Sequence, residues 1–351
     1  MPIVEYTRER FADLSEMVSQ VHGAVNLAHR PFVDYYYATR EACKLYLYYS
    51  DSGKVIGTLG RELARFEYES REVKLRIASN WYSLQKGIGG KLSLHSAAST
   101  PDSVGLTFTG SQDTISILRH REWIFMPGIR GYFLNNSCSL YPGESSWRRT
   151  AKLVVRRMRR KRISSFADRI PSHIFGEIEV REEFSYRPDL LPLASPFRFR
   201  FAPDAEYLNW RYNLSLPFIR YRLFRFSRGG GNCGYVILSD SPGKIIIAQC
   251  DGEDANTLAY GILLSILKVA GKSDDRRPVF LASSHEHMKK VFQNFGFREQ
   301  RGGDLPFAFR KQPPHVETAL GTGDWLVNYD WGDNGVRAPF RDTETGLIQT
   351  P

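Results

Sequence analysis

The feature that most constrains the fold of this chain is a glycine-rich turn between a strand and a helix. The segment Asn80–Leu92 reads as a strand that ends, a turn with three glycines in the four residues Gly87–Gly90, and the start of a helix. Glycine lets the backbone turn sharply, and N–H groups can approach a ligand because no side chain stands in the way. The first N–H groups and the dipole of the helix point into the turn. The segment therefore predicts a phosphate-binding site.

Around this turn, the hydrophobic pattern predicts alternating strands and helices in the first half of the chain. A strand at residues 3–6 precedes two helices, a hairpin at 44–59 and a fourth strand that leads into the turn. After the turn come a helix, a strand at 104–109, a helix from about 112 to 121 and a strand region from 123. An antiparallel start followed by alternation predicts a mixed, mostly antiparallel sheet with helices on its faces.

The second half repeats this plan with different residues. Strands are predicted at 220–226, 234–238, 244–250 and 279–282, with helices at 258–270 and 286–295. The alternating segment Phe197–Phe201 is typical of an edge strand. A length of 351 residues favours two domains. We therefore expect an α/β (α+β) protein with two tandem domains, each a mixed, mostly antiparallel sheet flanked by helices.

The order of elements in the first half, with the hairpin strand Val55–Thr58 and a glycine turn that opens a helix, resembles the GNAT family of acyl-CoA-dependent N-acetyltransferases. The resemblance implies acetyl-CoA, or another acyl-CoA, as cofactor. The family pattern has Gln or Arg where this chain has Leu84, and Gln85 is displaced by one position. The implied site joins a pantetheine-binding strand end to a pyrophosphate-binding turn, and its residues are Ser79, Asn80, Trp81, Gln85, Lys86, Gly87, Ile88, Gly89 and Gly90.

The second half also resembles a GNAT domain, but its loop between strand and helix differs. The loop Asp251–Asp254 contains three carboxylates, which would repel a pyrophosphate. The two halves, the segment Tyr207–Tyr212 and the segment Asp324–Asp330 together resemble bacterial double-GNAT proteins. The predicted divisions are an N-terminal domain at 1–146, a basic linker at 147–170, a C-terminal domain without a phosphate loop at 171–335, and a tail at 336–351.

Acyl transfer needs a base for the amine and an acid for the leaving thiolate. In the family a tyrosine supplies the acid, but its positions are occupied here by Leu118 and Phe292. Three residues are candidates for the general base, and surface roles remain open for each: Glu62, Glu72 and His120.

The acceptor is expected to be a primary amine of a small molecule, with an amino sugar as one candidate. If the two domains face each other, Asp251 and Glu253 are candidates to hold it, with helix capping as the alternative role.

The formal net charge of +10 is concentrated in one segment. Between Arg148 and Arg162 there are nine Lys or Arg residues and no acid. RNA or tRNA, an anionic membrane surface, an acidic carrier protein and plain solvation of an interdomain helix are all open interpretations. Nucleic acid binding is predicted only through this segment.

The remaining patterns exclude several protein classes. Four cysteines without CxxC or Cys/His ligand spacing indicate neither a disulfide framework nor a metal site. No apolar run of 18 residues and no signal-peptide pattern occur, so a cytoplasmic protein is expected. A tRNA-dependent aminoacyl transferase built from paired GNAT folds and a non-catalytic binding protein remain alternative functions.

Overall fold

A computed structural model describes residues 2–21, 26–68, 71–108, 112–126, 128–135, 151, 154–155, 158, 160–192, 195–197, 199–271, 274–300, 305–310 and 326. In this part of the chain, helices and strands follow the predicted order and build two mixed sheets. The predicted fold class is confirmed. The basic segment Arg148–Arg162, the tail at 336–351 and the segment Asp324–Asp330 lie wholly or largely outside the described residues.

The first half supplies six strands and four helices to the first sheet and its faces. The strands are β1 Ile3–Glu5, β2 Cys43–Tyr49, β3 Val55–Tyr68, β4 Arg71–Ser83, β5 Val104–Phe108 and β6 Trp123–Phe125. The helices are α1 Phe11–Ser19, α2 Arg30–Tyr37, α3 Ile88–Ala98 and α4 Gln112–His120. The start of α2 is fixed by Pro31 in its first turn and by His29, whose ring nitrogen accepts a hydrogen bond from the N–H of Phe32 at 3.4 Å.

The rest of the described chain supplies nine more strands and four more helices. The strands are β7 Arg130–Leu134, β8 Glu179–Glu183, β9 Phe199–Phe201, β10 Tyr221–Arg228, β11 Gly231–Asp240, β12 Ile245–Gly252, β13 Val279–Ser283, β14 Arg298–Glu299 and β15 Phe307–Arg310. The helices are α5 Ile174–Glu177, α6 Ala205–Arg211, α7 Ala255–Ala270 and α8 Glu286–Phe295, and a 3₁₀ helix spans Ile163–Arg169.

The two sheets have matching strand orders, and each contains a strand from the other half. The first sheet runs β1-β2-β3-β4-β5-β15-β6, and the second runs β8-β10-β11-β12-β13-β7-β14. Strand β15, from the end of the described chain, thus lies between β5 and β6, and β7 lies between β13 and β14. Strand β9, the predicted edge strand, pairs with β3 of the first sheet where β3 extends beyond β2. The domain boundaries at 146 and 171 stay a prediction. Three strands, β7, β9 and β15, pair within the sheet of the opposite half.

A shared apolar core joins the two halves. Residues of α1 and α2, such as Leu14 and Val33, belong to the same buried cluster as Leu223, Tyr235 and Ile237 of the second sheet. Hydrogen bonds reinforce this contact, since Tyr35 and Tyr36 of α2 donate to backbone carbonyls at the end of α6. None of the helices in the described chain has the length and apolarity needed to cross a lipid bilayer.

Candidate active site

The end of β4 beside the glycine turn has no partner on its β5 side in the described chain. Strands β4 and β5 are parallel and pair from Leu75–Val104 to Ala78–Thr107. Beyond that pair, β4 continues to Ser83. Residues Ser79–Ser83 therefore present backbone N–H and C=O groups on that side, where an extended ligand can pair with them. Strand β3 pairs with the other side of these residues, and we call Ser79–Ser83 the unpaired end of β4 only because no strand of the described chain pairs with them on the β5 side.

A bulge re-aims the side chains at this unpaired end. Asn80 has a φ of 46°, a left-handed conformation that few residues other than glycine and asparagine adopt readily. The register between β3 and β4 shifts at the same place, between Thr58 and Gly60. The hydroxyl of Thr58 donates to the carbonyl oxygen of Asn80 at 2.9 Å and so holds the bulge. Bulges of this kind are frequent next to active sites.

A buried polar cluster lies beside the bulge. The amide nitrogen of Asn80 donates to the hydroxyl of Tyr37 at 2.6 Å, and the hydroxyls of Tyr37 and Ser79 are 3.2 Å apart. A Cβ at Gly60 would lie 2.4 Å from the Ser79 hydroxyl and 2.8 Å from that of Tyr37, so only glycine leaves room for them. Asn80 is 3% exposed, yet its Oδ1 accepts no hydrogen bond within the described chain. That oxygen is available to an N–H group of a ligand.

The predicted phosphate-binding turn has the expected geometry. Gly87 is the N-cap of α3, with a φ of 88° and ψ of −21°, and no side chain caps the helix. The N–H groups of Gly89 and Gly90 belong to the first turn of the helix, where no acceptor exists within the helix itself. The indole nitrogen of Trp81 donates to the carbonyl of Gly89 at 3.1 Å and ties the unpaired end of β4 to the turn. Ile88 is buried against the sheet, whereas Gln85, Lys86 and Gly87 are exposed.

A cation that is distant in sequence approaches the turn, whereas the adjacent Lys91 does not. Lys91 is turned away from the turn, since its ammonium group lies 3.2 Å from the hydroxyl of Tyr48 and above its ring. Arg121, which follows α4, reaches the turn instead: its Nη2 would lie 3.5 Å from a Cβ at Gly90. No local pattern indicates Arg121, because it lies about 30 residues from Gly90 in the chain and only the tertiary fold brings the two together.

Of the three predicted catalytic residues, Glu62 lies nearest to the polar cluster. It follows Gly60 by two residues on β3, so both face the same side of the sheet, about 7 Å apart along the strand. Its carboxylate is buried, accepts a hydrogen bond from Tyr207 and forms an ion pair with Arg211 at 3.2 Å. Both partners come from α6, so Glu62 also connects the two halves.

The other two candidates lie on the surface, away from the cluster. Glu72 is exposed on β4, eight positions before Asn80, which corresponds to about 26 Å along an extended strand. It forms an exposed ion pair with Arg65 at 3.9 Å. His120 is exposed at the end of α4. Their catalytic roles stay predictions, and the structure brings neither of them together with Tyr37 and Asn80.

In the corresponding turn of the second half, two carboxylates of the turn accept hydrogen bonds from nearby backbone N–H groups. Asp254 is the N-cap of α7 and accepts the N–H of Thr257 at 2.7 Å. Asp251 is 3% exposed, accepts the N–H of Gly252 at 2.8 Å and pairs with Arg200 at 3.1 Å. Burial raises the pKa of Asp251 to about 6, and the nearby Arg200 guanidinium opposes that increase. Glu253 is exposed.

The cysteines and the metal-binding side chains contribute no further site in the described part of the chain. Cys43, Cys233 and Cys250 are buried and form no disulfide among the described residues, and Cys138 lies outside those residues. Among the described residues, no group of three or more His, Cys, Asp or Glu is placed to hold a metal ion.

Solved structures with this fold include several acyltransferases. Saccharomyces cerevisiae N-myristoyltransferase with bound myristoyl-CoA is 9% identical, with a TM-score of 0.54 over 99% of this chain and 89% of that one. A GCN5-related N-acetyltransferase from Anabaena variabilis is 10% identical, with a TM-score of 0.52 over 88% and 72% of the two chains. Another, from Kribbella flavida, is 12% identical, with a TM-score of 0.51 over 88% and 70%.

The sequence comparisons add nothing to this: no protein-family model and no curated protein sequence matches the chain. At such low identity the structural similarity establishes the fold. Since it extends over at least 88% of this chain in these three comparisons, it includes both halves, and this chain shares its fold with these acyltransferases.

Proposed function

We propose that this chain is an N-acyltransferase that moves an acyl group from an acyl-CoA to a primary amine of a small molecule. The observation that carries the proposal is the direct connection between the unpaired end of β4 and an uncapped glycine turn at the N-terminus of α3. An extended pantetheine arm can pair with the backbone of Ser79–Ser83, while the N–H groups of the turn bind the pyrophosphate. Arg121 and Lys86 supply positive charge beside it.

Tyr37 is the proposed acid of the reaction. The amine nitrogen attacks the thioester carbonyl carbon, the C–S bond breaks, and the thiolate takes the proton of the Tyr37 hydroxyl. That hydroxyl lies beside the bulge at Asn80, at the end of the strand that would hold the pantetheine arm. Glu62, on the same face of β3, is the proposed acceptor of the proton that the amine loses, directly or through water. Solvent then restores both groups to their starting protonation states.

The proposed cofactor and acceptor classes are tested together on the full chain. Calorimetry with acetyl-CoA, myristoyl-CoA and free CoA measures binding, and release of free thiol measures transfer to amines that include glucosamine. We expect one acyl-CoA bound per chain and amine-dependent thiol release. The ratio between the two acyl-CoA substrates reports the acyl length. An absence of binding by all three ligands would overturn the proposal.

A substitution of Tyr37 tests the chemical step. Tyr37→Phe keeps the ring and removes the proton donor, so we expect kcat to fall about a hundredfold while acetyl-CoA affinity changes less than about threefold. Tyr36→Phe is the matched control, because the Tyr36 hydroxyl is also buried and donates to a backbone carbonyl, that of Arg211, at 3.0 Å. Equal losses of kcat in the two variants would assign Tyr37 a structural role.

A further inference from the structure

A cavity lies beside the second sheet, and its lining residues are far along the chain from the glycine turn. Its volume is about 600 Å³, within the range of small-molecule sites. It is enclosed by the end of β7, the 3₁₀ helix and the segment where α8 passes into β14. Phe133, Phe166 and Phe297 give it an apolar floor, and its cationic groups are Lys161, Arg169 and Arg298. We call it the cationic cavity.

The positive charge of this cavity is not balanced by its lining, which contains no Asp or Glu. Glu299, next to Arg298, pairs with Arg130 at 2.9 Å, and Asp274 pairs with Arg162, next to Lys161, at 2.5 Å. In the described part of the chain, neither Lys161 nor Arg298 forms an ion pair. Two cations without counter-charges therefore converge on one concavity, which favours an anionic ligand.

The backbone around the cavity is held in a specific conformation. Asn135 has a φ of 60°. Its side chain donates to the carbonyl of Lys161 at 2.7 Å and accepts the N–H of Lys161 at 3.1 Å. These two bonds fix the backbone of Lys161, the next-to-last residue of the basic segment, at the rim of the cavity. Left-handed residues that are held by such contacts cluster at ligand sites.

Arg169 is held equally firmly on the opposite wall. It donates to the carbonyl of Phe295 at the end of α8 at 3.1 Å and lies over the ring of Phe166 at 5.1 Å. A guanidinium fixed in this way retains further N–H donors, because five are present and the carbonyl uses one. Planar forks of this kind match phosphate oxygens.

We propose that the cationic cavity binds a small phosphorylated ligand, with its phosphates between Lys161, Arg169 and Arg298 and its apolar or planar part on the phenylalanine floor. A discrete ligand is favoured over a nucleic acid strand because the cations converge on one enclosed space. A polynucleotide would require them along an extended face. The site is independent of the proposed acyl-CoA site and needs no contribution from the glycine turn.

Adenosine 5′-diphosphate is the probe, and its binding to the full chain is measured by calorimetry. Lys161→Gln/Arg298→Gln removes two exposed cations from the cavity. Lys74→Gln/Lys290→Gln is the matched control, since it removes two exposed cations outside the cavity lining. We expect the cavity variant to bind the probe at least about tenfold more weakly than the control. If thermal melting shows that the double variant is unfolded, Arg298→Gln alone serves.

The probe shares its diphosphate with CoA, so Gly87→Asp separates the two sites. We expect this variant, with a carboxylate in the glycine turn, to retain one bound probe molecule per chain. Equal affinity of cavity and control variants, no binding at all, or binding lost in Gly87→Asp alone would each overturn the proposal. Salt-sensitive binding of an RNA oligonucleotide without binding of the probe would also overturn it and assign these cations to nucleic acid.

Discussion

The two halves carry the same strand plan but opposite turns at the position where a CoA-type ligand would place its pyrophosphate. In the first half, α3 begins at Gly87 with no side-chain cap. In the second half, α7 begins at Asp254, whose carboxylate accepts the N–H of Thr257. Each turn follows a strand that pairs in parallel with the strand after the helix. The difference teaches that the fold supplies the N–H groups, and the residues of the turn decide whether a ligand or the protein itself occupies them.

The strands beside the turns differ much less than the turns do. Each half has a register shift and a buried amide bonded to a tyrosine: Asn80 with Tyr37 in the first half, and Gln249 with Tyr235 in the second. In both amides the oxygen has no hydrogen-bond partner within the described chain. Both halves thus have a buried amide beside the strand, although the turn of the second half is acidic. We infer that the turn, and not the strands, separates the ligand preferences of the two halves.

The largest expected effect comes from making the first turn resemble the second. Gly87→Asp places one carboxylate where the pyrophosphate is proposed to bind, and repulsion between them at about 4 Å corresponds to several kcal/mol near a protein surface. We expect acetyl-CoA affinity to fall about a thousandfold in calorimetry. Stability should fall by about 1 kcal/mol, because the φ of 88° is strained for any residue other than glycine, although nothing lies within 4 Å of a Cβ at this position.

Gly87→Asn is the matched control for that substitution. Asparagine has the same shape, tolerates a positive φ about as well as aspartate and adds no charge. We expect a loss of about tenfold, so that the ratio of the two affinities isolates the electrostatic part. If both variants bind acetyl-CoA as the wild type does, the glycine turn is not the pyrophosphate site and the comparison between the halves fails.

The second prediction concerns the buried carboxylate of the second half. Because burial raises the pKa of Asp251 from 3.8 to about 6, the folded protein keeps a proton that the unfolded chain has lost between these pH values. The free energy of unfolding should therefore fall by about 2 kcal/mol as pH rises from 4 to 6 and level off at about pH 7, where the folded group is ionised as well.

Urea unfolding of Asp251→Asn at pH 4, 5, 6 and 7 checks this pH dependence. The variant should lack the fall, although it also loses the ion pair with Arg200. Asp189→Asn is the control, because Asp189 also pairs with an arginine, Arg225 at 3.0 Å, but is about half exposed. A slope in Asp251→Asn equal to that of the wild type would show that Asp251 ionises normally in the folded protein.

Local patterns were sufficient to predict much of this molecule from its sequence. The alternation of strands and helices, the turn Gly87–Gly90 and the acidic turn Asp251–Asp254 are short-range features, and the structure has each of them. The edge strand at Phe199–Phe201 was also predictable, because its phenylalanines and arginine alternate between core and partly exposed positions.

What the sequence did not reveal depends on contacts between distant segments. Tyr37 of α2 reaches Asn80 of β4, and Arg200 of the first sheet reaches Asp251 of the second. Strands β7 and β15 each lie in the sheet of the other half. No spacing rule identifies such residues from the sequence, because only the tertiary fold brings them together. The family position of the tyrosine, at Leu118, pointed instead to a buried core residue.

The smallest expected effect comes from removing the side-chain cap of the turn in the second half. Asp254→Ala removes the side-chain acceptor for the N–H of Thr257 at the start of α7, and loss of such a cap costs about 1 kcal/mol. Its ion pair with Arg228 is largely exposed and at 3.5 Å adds little. We expect a decrease of about that size in urea unfolding, and acetyl-CoA should still bind once per chain because Asp251 continues to occupy the N–H of Gly252. Two acetyl-CoA molecules per chain would mean that Asp254 alone keeps the second half from binding the cofactor.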